Sequence, residues 1–376
     1  MGPEKQLTRA QIKRRNRSNI YRMVLDGHGV SRQDIARALE LSLPTVQNNL
    51  TDLIEEGLVQ KTGFLGDTGG RKAYTYGIVP DARTAIGFDI TRHHITAVAV
   101  DLKGEIMGRI RIRHDFEMSD LYMRRLGEIV KELLEESGIK RESVLGVGIG
   151  IPGLTTEDKR EIFYGRILDF EGADCADFSK YIPFRTALFN DAKAAAFAEF
   201  HSHPEMKSAF YIMLSNNVGG AVIIDGQVWR GGNLCAAEIG HLTLDPLGPV
   251  CYCGQRGCMD IYCAATVLDS QYGDNLENFF VHLKGKEKKA VSLWNTYLDY
   301  LARAINTVRL LFDCPIILGG YVGAYMNEYI EDLRRRVEEL DSFHNPTSEV
   351  RCCEYRREAI AAGAALHFIT EYIDTV

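Results

Sequence analysis

Long hydrophobic runs are missing from this 376-residue sequence. No apolar stretch reaches the roughly 18 residues that a membrane-spanning helix needs. The polar start MGPEKQLTRAQIKRRNRS also lacks the hydrophobic core of a secretory signal. Low-complexity and collagen-like repeats are absent, and 45% of the residues are hydrophobic and 25% are charged. We therefore expect a cytoplasmic globular protein that does not contact a membrane.

The cysteine content excludes a complete disulfide framework, because nine is an odd number. In a reducing compartment, clustered thiols favour metal binding or catalysis over disulfides. The stretch CYCGQRGCMD brings Cys251, Cys253 and Cys258 together through a turn in which Gly254 and Gly257 relieve the backbone. Thiolate ligands in such a compartment favour one tetrahedral Zn²⁺ per chain.

The fourth metal ligand is left open by spacing alone. Cys263 is near in sequence and would complete an all-thiolate site, although it falls in an apparent helix. His241 lies ten residues before Cys251 and would complete a site of three thiolates and one imidazole. Buried structural thiols without a metal are the plain alternative. Four protein ligands leave no position for water, so the zinc would be structural and would hold the segments that carry Glu238 and Asp260.

Basic charge is concentrated at the N-terminus. Residues 1–80 contain 12 Lys and Arg against 8 Asp and Glu, whereas residues 81–376 contain 32 against 43. A basic segment on an acidic body indicates a unit that meets a polyanion.

The pattern within residues 1–80 predicts a winged helix-turn-helix domain. Three short helices are expected in NRSNIYRMVLDGHG, SRQDIARALEL and SLPTVQNNLTDLIEEG, followed by the strands LVQKTGFL and KAYTYGIV. Ser31 with Asp34 forms a capping box, and Ser42 begins the third helix. In a winged helix the third helix enters the major groove, and the hairpin meets the flanking backbone or the minor groove.

Short polar groups lie at the start of the third helix, where they suit base edges, and a basic pair follows Gly69–Gly70 at the wing tip. A three-helix protein-interaction module is the alternative. The candidate DNA-binding residues are Ser42, Thr45, Gln47, Asn48, Arg71 and Lys72, with Asn49 beside them.

The body alternates strands and helices, which predicts an α/β architecture. The β-meander in AIGFDITRHHITAVAVDLKGEIMGRIRI is repeated in SAFYIMLSNNVGGAVIIDGQVWRG about 120 residues later. This repetition predicts a duplicated body of two lobes with a cleft between them. Helices are expected in SDLYMRRLGEIVKELLEES, NDAKAAAFAEFH, Ala290 to Phe312 and REAIAAGAALHFITEYI.

The order of these motifs resembles the ROK family of bacterial sugar kinases and sugar-responsive repressors, which share an actin-like two-lobed fold. The resemblance covers about residues 82–376, and EIGH and CxCGxxGCx[E/D] are its most specific stretches. It is carried by GIGIPG, FNDAKAAAFAE, NNVGGAVIIDGQVWRGGN, AEIGHLTL, CYCGQRGCMD and PIILGGYV. A winged helix before the body matches the repressor branch. The resemblance implies one lobe over 81–190, completed by a helix at 357–376, and a second, zinc-containing lobe over 191–356.

The resemblance also implies a set of site residues. It gives His241 as the fourth zinc ligand, and it places the sugar-contacting positions at Asn190, Asp191, Glu238, His241 and Asp260. Asn190 and Asp191 would serve equally as a helix N-cap. Two positions differ from the family: Asp260 replaces the usual Glu, and Lys193 replaces a frequent Asn. We expect Lys193 to be a solvated helix residue, although Lys193 or Arg92 would suit the phosphate of a sugar phosphate.

ATP chemistry is not expected, although Asp191 matches the general base of the family's kinases. Their phosphate-binding turns read D-x-G-G-T-K and G-T-G-x-G-G-G, whereas this chain has residues 89–94 as DITRHH and 215–221 as SNNVGGA. Gly319–Gly320 survives on the expected nucleotide side. We therefore predict a sugar-responsive repressor of carbohydrate-utilisation genes that acts as a dimer on a pseudo-palindromic operator. A ROK sugar kinase with an appended DNA-binding domain and a sugar-dependent activator are the rivals, and dimer versus tetramer stays open.

Overall fold

The computed structural model describes residues 8–27, 29–64, 73–203, 205–344, 349–355 and 358–376. None of the described helices combines the length and the hydrophobicity that crossing a membrane requires. The helices are α1 (Arg9–Asp26), α2 (Arg32–Ala38), α3 (Leu43–Glu55), α4 (Asp120–Glu136), α5 (Cys175–Ser179), α6 (Asp191–Ser202), α7 (Met259–Cys263), α8 (Ala265–Asp269), α9 (Leu276–Lys284), α10 (Lys288–Phe312), α11 (Gly320–Gly323), α12 (Ile330–Leu340) and α13 (Ala359–Thr375). The strands are β1 (Val30–Ser31), β2 (Val59–Phe64), β3 (Tyr74–Ile78), β4 (Thr84–Ile90), β5 (His94–Val100), β6 (Ile106–Arg113), β7 (Val144–Ile151), β8 (Leu154–Thr155), β9 (Ile162–Tyr164), β10 (Thr186–Asn190), β11 (Ala209–Leu214), β12 (Val218–Ile224), β13 (Gln227–Trp229), β14 (Ile316–Gly319) and β15 (Val350–Cys352).

The N-terminal unit consists of α1 to α3 and a three-stranded sheet of order β1-β3-β2. The helix starts follow from local capping. The Ser31 side chain accepts a hydrogen bond from the backbone of Asp34, which caps in return, and the Ser42 side chain accepts from the backbone of Thr45. The apolar faces of the helices meet in a core that includes Ile20 and Leu50.

The body contains two five-stranded sheets with the same topology. The first has the order β10-β7-β4-β5-β6 and the second the order β13-β12-β11-β14-β15. In each, three consecutive strands form an antiparallel meander. A fourth strand pairs in parallel with the first strand of the meander, and a fifth pairs in parallel with the fourth. The repeated topology confirms the predicted duplication. We call the parts built on the first and second sheets lobe one and lobe two.

Helix α13 packs directly against the first sheet, because glycines remove the side chains that would separate them. A Cβ on Gly87 would lie 1.8 Å from the carbonyl oxygen of Ala361, and one on Gly148 would lie 2.2 Å from that of Ala364. The helix therefore returns the C-terminus of the chain to lobe one, where it also packs on α6.

The N-terminal unit shares its core with lobe one. Residues of α1 and α3, of β5 and of α13 belong to one continuous apolar cluster. The Ser18 hydroxyl donates to the carbonyl oxygen of Ile373 at 3.1 Å, and Arg22 pairs with Asp374. The end of α13 is thus tied to the middle of α1.

Candidate ligand cleft and metal centre

A cleft opens where the carboxyl ends of strands from both sheets meet, the usual place for ligands in open α/β folds. Lobe one supplies the β8–β9 hairpin and the start of α6, and lobe two supplies the turn before β12 and the segment around Glu238. The lining residues are Pro152, Gly153, Leu154, Tyr164, Arg166, Ile167, Asn190, Asp191, Ala192, Met213, Asn217, Val218, Gly219, Gly220, Glu238, His241 and Tyr252.

Asn190 caps α6, Asp191 is the first residue of that helix, and both line the cleft, so the cap is compatible with the predicted sugar contacts. The Asn190 side-chain oxygen accepts from the backbone of Lys193 at 3.0 Å, and its amide nitrogen donates to the Gly153 carbonyl at 3.1 Å. One Asp191 carboxylate oxygen accepts from the backbone of Ala192 at 2.7 Å. This network fixes the Asp191 carboxylate at the floor of the cleft.

The Asp191 carboxyl interacts electrostatically with Glu238, which also lines the cleft, and with the buried Asp89. Burial raises the pKa of Asp191 to about 7. The hydrogen bond from the backbone of Ala192 opposes this shift, and the charge of Glu238 adds to it. Burial beside Asp191 also raises the pKa of Asp89 to about 7, and burial raises the pKa of Glu238. With pKa values of about 7, Asp89 and Asp191 therefore titrate near neutrality, whereas the charge of Lys193 opposes the shift of Glu238. A polyol in the cleft could donate to the oxygens of Asp191 and Glu238 and accept from Asp191 when it is protonated.

Lys193 corrects the expectation of a solvated helix residue. It is only 7% exposed, because α6 is packed on both sides. Its ammonium group donates to the Leu234 carbonyl at 3.1 Å and lies 3.5 Å from the Glu238 carboxylate. Burial lowers its pKa, and Glu238 opposes that shift. Lys193 thus clamps the segment that carries Glu238.

Asp260 is not among the residues that line the cleft. Its carboxylate accepts from the backbone of Val218 at 2.6 Å and from the Asn217 amide at 3.3 Å. Burial raises its pKa, and these two hydrogen bonds oppose that shift. The shorter side chain of Asp therefore holds the turn before β12, and a sugar contact by Asp260 stays a prediction.

The candidate metal centre brings together His241, Cys251, Cys253 and Cys258, whose ligand atoms all lie within 4.8 Å of one another. The Cys253 and Cys258 sulfurs are 3.7 Å apart and not bonded. Gly257, at a φ of 66°, is required in the turn, because a Cβ there would lie 1.6 Å from the Asp245 carbonyl oxygen.

The donor set fits a thiophilic cation. His241 Nδ1 is buried without a hydrogen-bond partner, whereas Nε2 lies 3.3 Å from the Tyr252 hydroxyl. Burial and neighbouring thiols raise the pKa of Cys258 to about 12, so a bound cation would be needed to hold this residue as a thiolate near neutral pH. Cys263, the rival ligand, lies fully buried in the core of lobe two, outside this cluster.

The two turns that correspond to phosphate-binding turns in kinases have other contacts. Arg92 donates to the Ile167 carbonyl, and His93 lies 2.9 Å from the Asp115 carboxylate. A Cβ on Gly219 would meet Ala192 at 2.9 Å, and one on Gly220 would meet the Ala237 carbonyl oxygen at 2.5 Å. Packing alone therefore accounts for the glycines that remain in the second turn.

The start of α3 presents part of the predicted base-reading set. Ser42 and Asn48 are exposed, and Thr45 is half-buried. Gln47 accepts from Arg32 at 2.8 Å and donates to Thr51 at 3.1 Å. Arg71 and Lys72 lie outside the described residues.

Asn49 corrects the expectation of a groove-facing amide. It is 5% exposed, and its amide nitrogen donates to the Thr45 carbonyl at 2.8 Å. It shares the buried face of α3 with Val46 and Leu53, because residues three and four apart lie on one side of a helix. Asn49 is therefore part of the core of the N-terminal unit.

Several cleft residues were missed by sequence reasoning. Tyr164 is the last residue of β9 and Arg166 lies just after it, and no motif marks either residue. Tyr252 lies between two metal-site cysteines and reaches the cleft beside His241. Its position within the cysteine motif was an available signal, since a turn that fixes its neighbours also fixes its direction.

The ROK family profile matches residues 85–371. A protein of Caldicellulosiruptor sp. (strain Rt8B.4), provisionally named a xylose repressor, is 24% identical over 371 residues, or 91% of this chain and 92% of its own. The N-acetylmannosamine kinase of Salmonella typhi is 34% identical over 189 residues, or 48% of this chain and 64% of its own. A crystal structure of a ROK family transcriptional regulator, described as a homolog of the E. coli MLC protein, superposes with a TM-score of 0.75 at 20% identity. It covers 97% of both chains.

Proposed function

This chain belongs to the ROK family, and we propose that it is a sugar-responsive transcriptional repressor. The observation that carries the proposal is the joining of a carboxylate-lined cleft to a basic three-helix unit through one continuous core. The alignment of nearly the whole chain with a xylose repressor relative supports the same arrangement. Such a protein acts in the cytoplasm, where its operator lies.

The N-terminal unit is proposed to be a winged helix that binds duplex DNA. In this proposal α3 enters the major groove, and Thr45 and Asn48 contact base edges, while Ser42 positions the helix start. The bonds of Gln47 to Arg32 and Thr51 must be exchanged for a base contact. Arg71 and Lys72 stay proposed as wing contacts. A dimer would place two such units on a pseudo-palindromic operator.

The cleft is proposed to bind a sugar through Asn190, Asp191, Glu238 and His241. Carboxylate oxygens accept from neighbouring hydroxyls, and the tyrosines at the rim cover the apolar face of the ring. In this proposal His241 binds the metal through Nδ1 and hydrogen-bonds the sugar through Nε2. Binding of the metal would then orient the imidazole ring toward the sugar.

Zn²⁺ is the proposed resident of the four-ligand centre, held by His241 and the three cysteines. When bound, it supplies a structural cross-link between the turn that carries His241 and the start of α7. The cleft residues of the chain then hold and orient the sugar without contacting the metal themselves, apart from His241.

The response to sugar is proposed to pass through α6 and α13. Helix α6 begins at the cleft with Asp191, and near its other end burial lowers the pKa of His201, a shift that the charge of Asp26 in α1 opposes. Helix α13 packs along α6 and binds α1 through Ser18 and Arg22. A ligand that prefers one arrangement of the lobes would therefore shift the position of α1.

A sugar kinase is the second candidate function, favoured by Asp191 at the cleft floor and by the kinase relative. The contacts of Arg92 and His93 in the first turn disfavour it. Coupled release of ADP from ATP, measured with a sugar panel on wild type and Asp191→Asn, tests this alternative. Turnover in wild type that is lost in the variant would establish a kinase.

The repressor proposal is tested by selecting duplexes from a random DNA library with the full chain. Selection should enrich a pseudo-palindrome, and adding D-xylose or another member of a sugar panel during selection should release it. A library that shows no enriched motif, in an experiment where a known repressor yields one, would contradict the proposal.

A further inference from the structure

Arg230 connects the two lobes. It directly follows β13 in lobe two, and its guanidinium donates to the end of β8 and the two residues after it in lobe one. The acceptors are the Thr155 carbonyl at 2.8 Å, the Thr156 carbonyl at 3.1 Å, the Glu157 carbonyl at 3.2 Å and the Thr155 hydroxyl at 3.3 Å. A planar fork with several donors is suited to holding a set of carbonyls that no single ammonium could satisfy.

Both segments that Arg230 joins carry walls of the cleft. On the lobe-one side, Thr155 follows the cleft residue Leu154, which pairs with Tyr164 across the hairpin. On the lobe-two side, Arg230 begins the segment that ends at Glu238. Opening the lobes would separate these walls, and the guanidinium would lose all of its described acceptors.

The segment from Arg230 to Glu238 needs such anchoring. Leu234 and Ala237 have φ values of 62° and 63°, in the left-handed region that costs energy for residues with a Cβ. The backbone of Ala236 donates to the Arg230 carbonyl at 3.1 Å, and Lys193 holds the Leu234 carbonyl. Arg230 and Lys193 therefore hold the two ends of a strained segment, and this segment determines the position of Glu238.

We propose that Arg230 is a positioning residue that latches the cleft closed over its ligand. It acts through Glu238 and the β8–β9 hairpin and does not itself line the cleft. The proposal rests on the proposed function in one respect: the ligand that closure retains is a sugar. The latch itself exists without ligand, since its bonds join protein to protein.

Hydrogen exchange on the full chain without sugar tests the latch, followed in peptides covering residues 154–164 and 230–238. In Arg230→Gln, amides in both peptides should exchange at least about tenfold faster, because even one hydrogen bond from a charged donor is worth that much. Arg230→Lys, which keeps the charge, should recover part of the protection. Arg160→Gln is the control, since Arg160 lies in the same hairpin but pairs with Asp174 within lobe one.

Unchanged exchange at residues 230–238 in Arg230→Gln, or the same change in Arg160→Gln, would overturn the latch. A second arm measures the rise of Tm with D-xylose. Arg230→Gln should need at least about tenfold more D-xylose than wild type for the same rise, and an unchanged dose dependence would also overturn the latch. Because exchange is measured without sugar, its result stands even if wild type fails to respond to D-xylose, which would count against the proposed function for that sugar alone.

Discussion

Removing the Glu238 carboxylate should destabilise the protein through Lys193. The ammonium and carboxylate lie 3.5 Å apart, and the two side chains are 9% and 33% exposed. At that separation, an effective dielectric constant near 20 gives an attraction of about 5 kcal/mol. Breaking a buried pair costs about 3–5 kcal/mol. Because Glu238 is one-third exposed to screening water, we expect Glu238→Gln to lower the free energy of unfolding by about 2 kcal/mol.

A double-mutant cycle separates the pair from its surroundings. Lys193→Met leaves a carboxylate that water can reach, so it should cost less than Glu238→Gln. The double variant should be more stable than the sum of the single losses predicts, with a coupling of about 1–2 kcal/mol in urea unfolding. The control cycle is Lys284 with Glu328, an exposed pair at 2.7 Å, which should show little coupling. Additive losses at Lys193 and Glu238 would refute the clamp.

Three further predictions concern the metal, the buried carboxyls and the DNA face. Metal analysis of Cys263→Ser should retain about one zinc per chain, whereas Cys253→Ser should lose it; loss in Cys263→Ser would favour the all-thiolate site. The pKa of Asp89 is raised on folding, so the folded state binds the extra proton and stability falls as pH rises from the unfolded value of 3.8 toward about 7. The Tm of Asp89→Asn minus the Tm of wild type should therefore be larger at pH 8 than at pH 5. An equal Tm difference at both pH values would exclude this titration. Asn48→Ala should cost roughly 1–3 kcal/mol of DNA binding at one base pair, whereas Asn49→Ala should mainly lower Tm; selective loss at one base pair in Asn49→Ala would place it in the groove.

The metal cluster and the position of Asn190 and Asp191 at the start of α6 could be predicted because they depend on local sequence. A C-x-C-x4-C turn draws its sulfurs together by chain geometry, and a strand that ends at a helix start sets the direction of both cap residues. His241 is different, because spacing alone did not distinguish it from Cys263 as the fourth metal ligand. Only the family resemblance favoured it.

The burial of Lys193 depends on packing that no local pattern records. Its helix contains a run of alanines with no polar face, so a lysine there meets protein on every side. That composition was an available warning. The hydrogen bond from the backbone of Val218 to Asp260 likewise depends on tertiary packing, and no local pattern predicts it. The reach of Arg230 across two lobes depends on tertiary structure alone.

Asn49 could have been placed by periodicity. Val46, Leu50 and Leu53 define the buried stripe of α3, and position 49 falls beside it. The prediction that Asn49 contacts a base edge considered only the residue type and not which side of the helix the residue lies on. The same phase leaves Asn48 exposed.

The central claim is that a sugar bound in the cleft changes operator binding. Fluorescence anisotropy of the selected duplex, titrated with the full chain in the absence and presence of a saturating sugar from the panel, measures this directly. We expect the sugar to weaken binding by at least about fivefold, the lower end of usual allosteric coupling. The Glu238→Gln/Lys193→Met variant should bind the same duplex and ignore the sugar. Equal wild-type affinity with and without every sugar that raises its Tm would contradict the account.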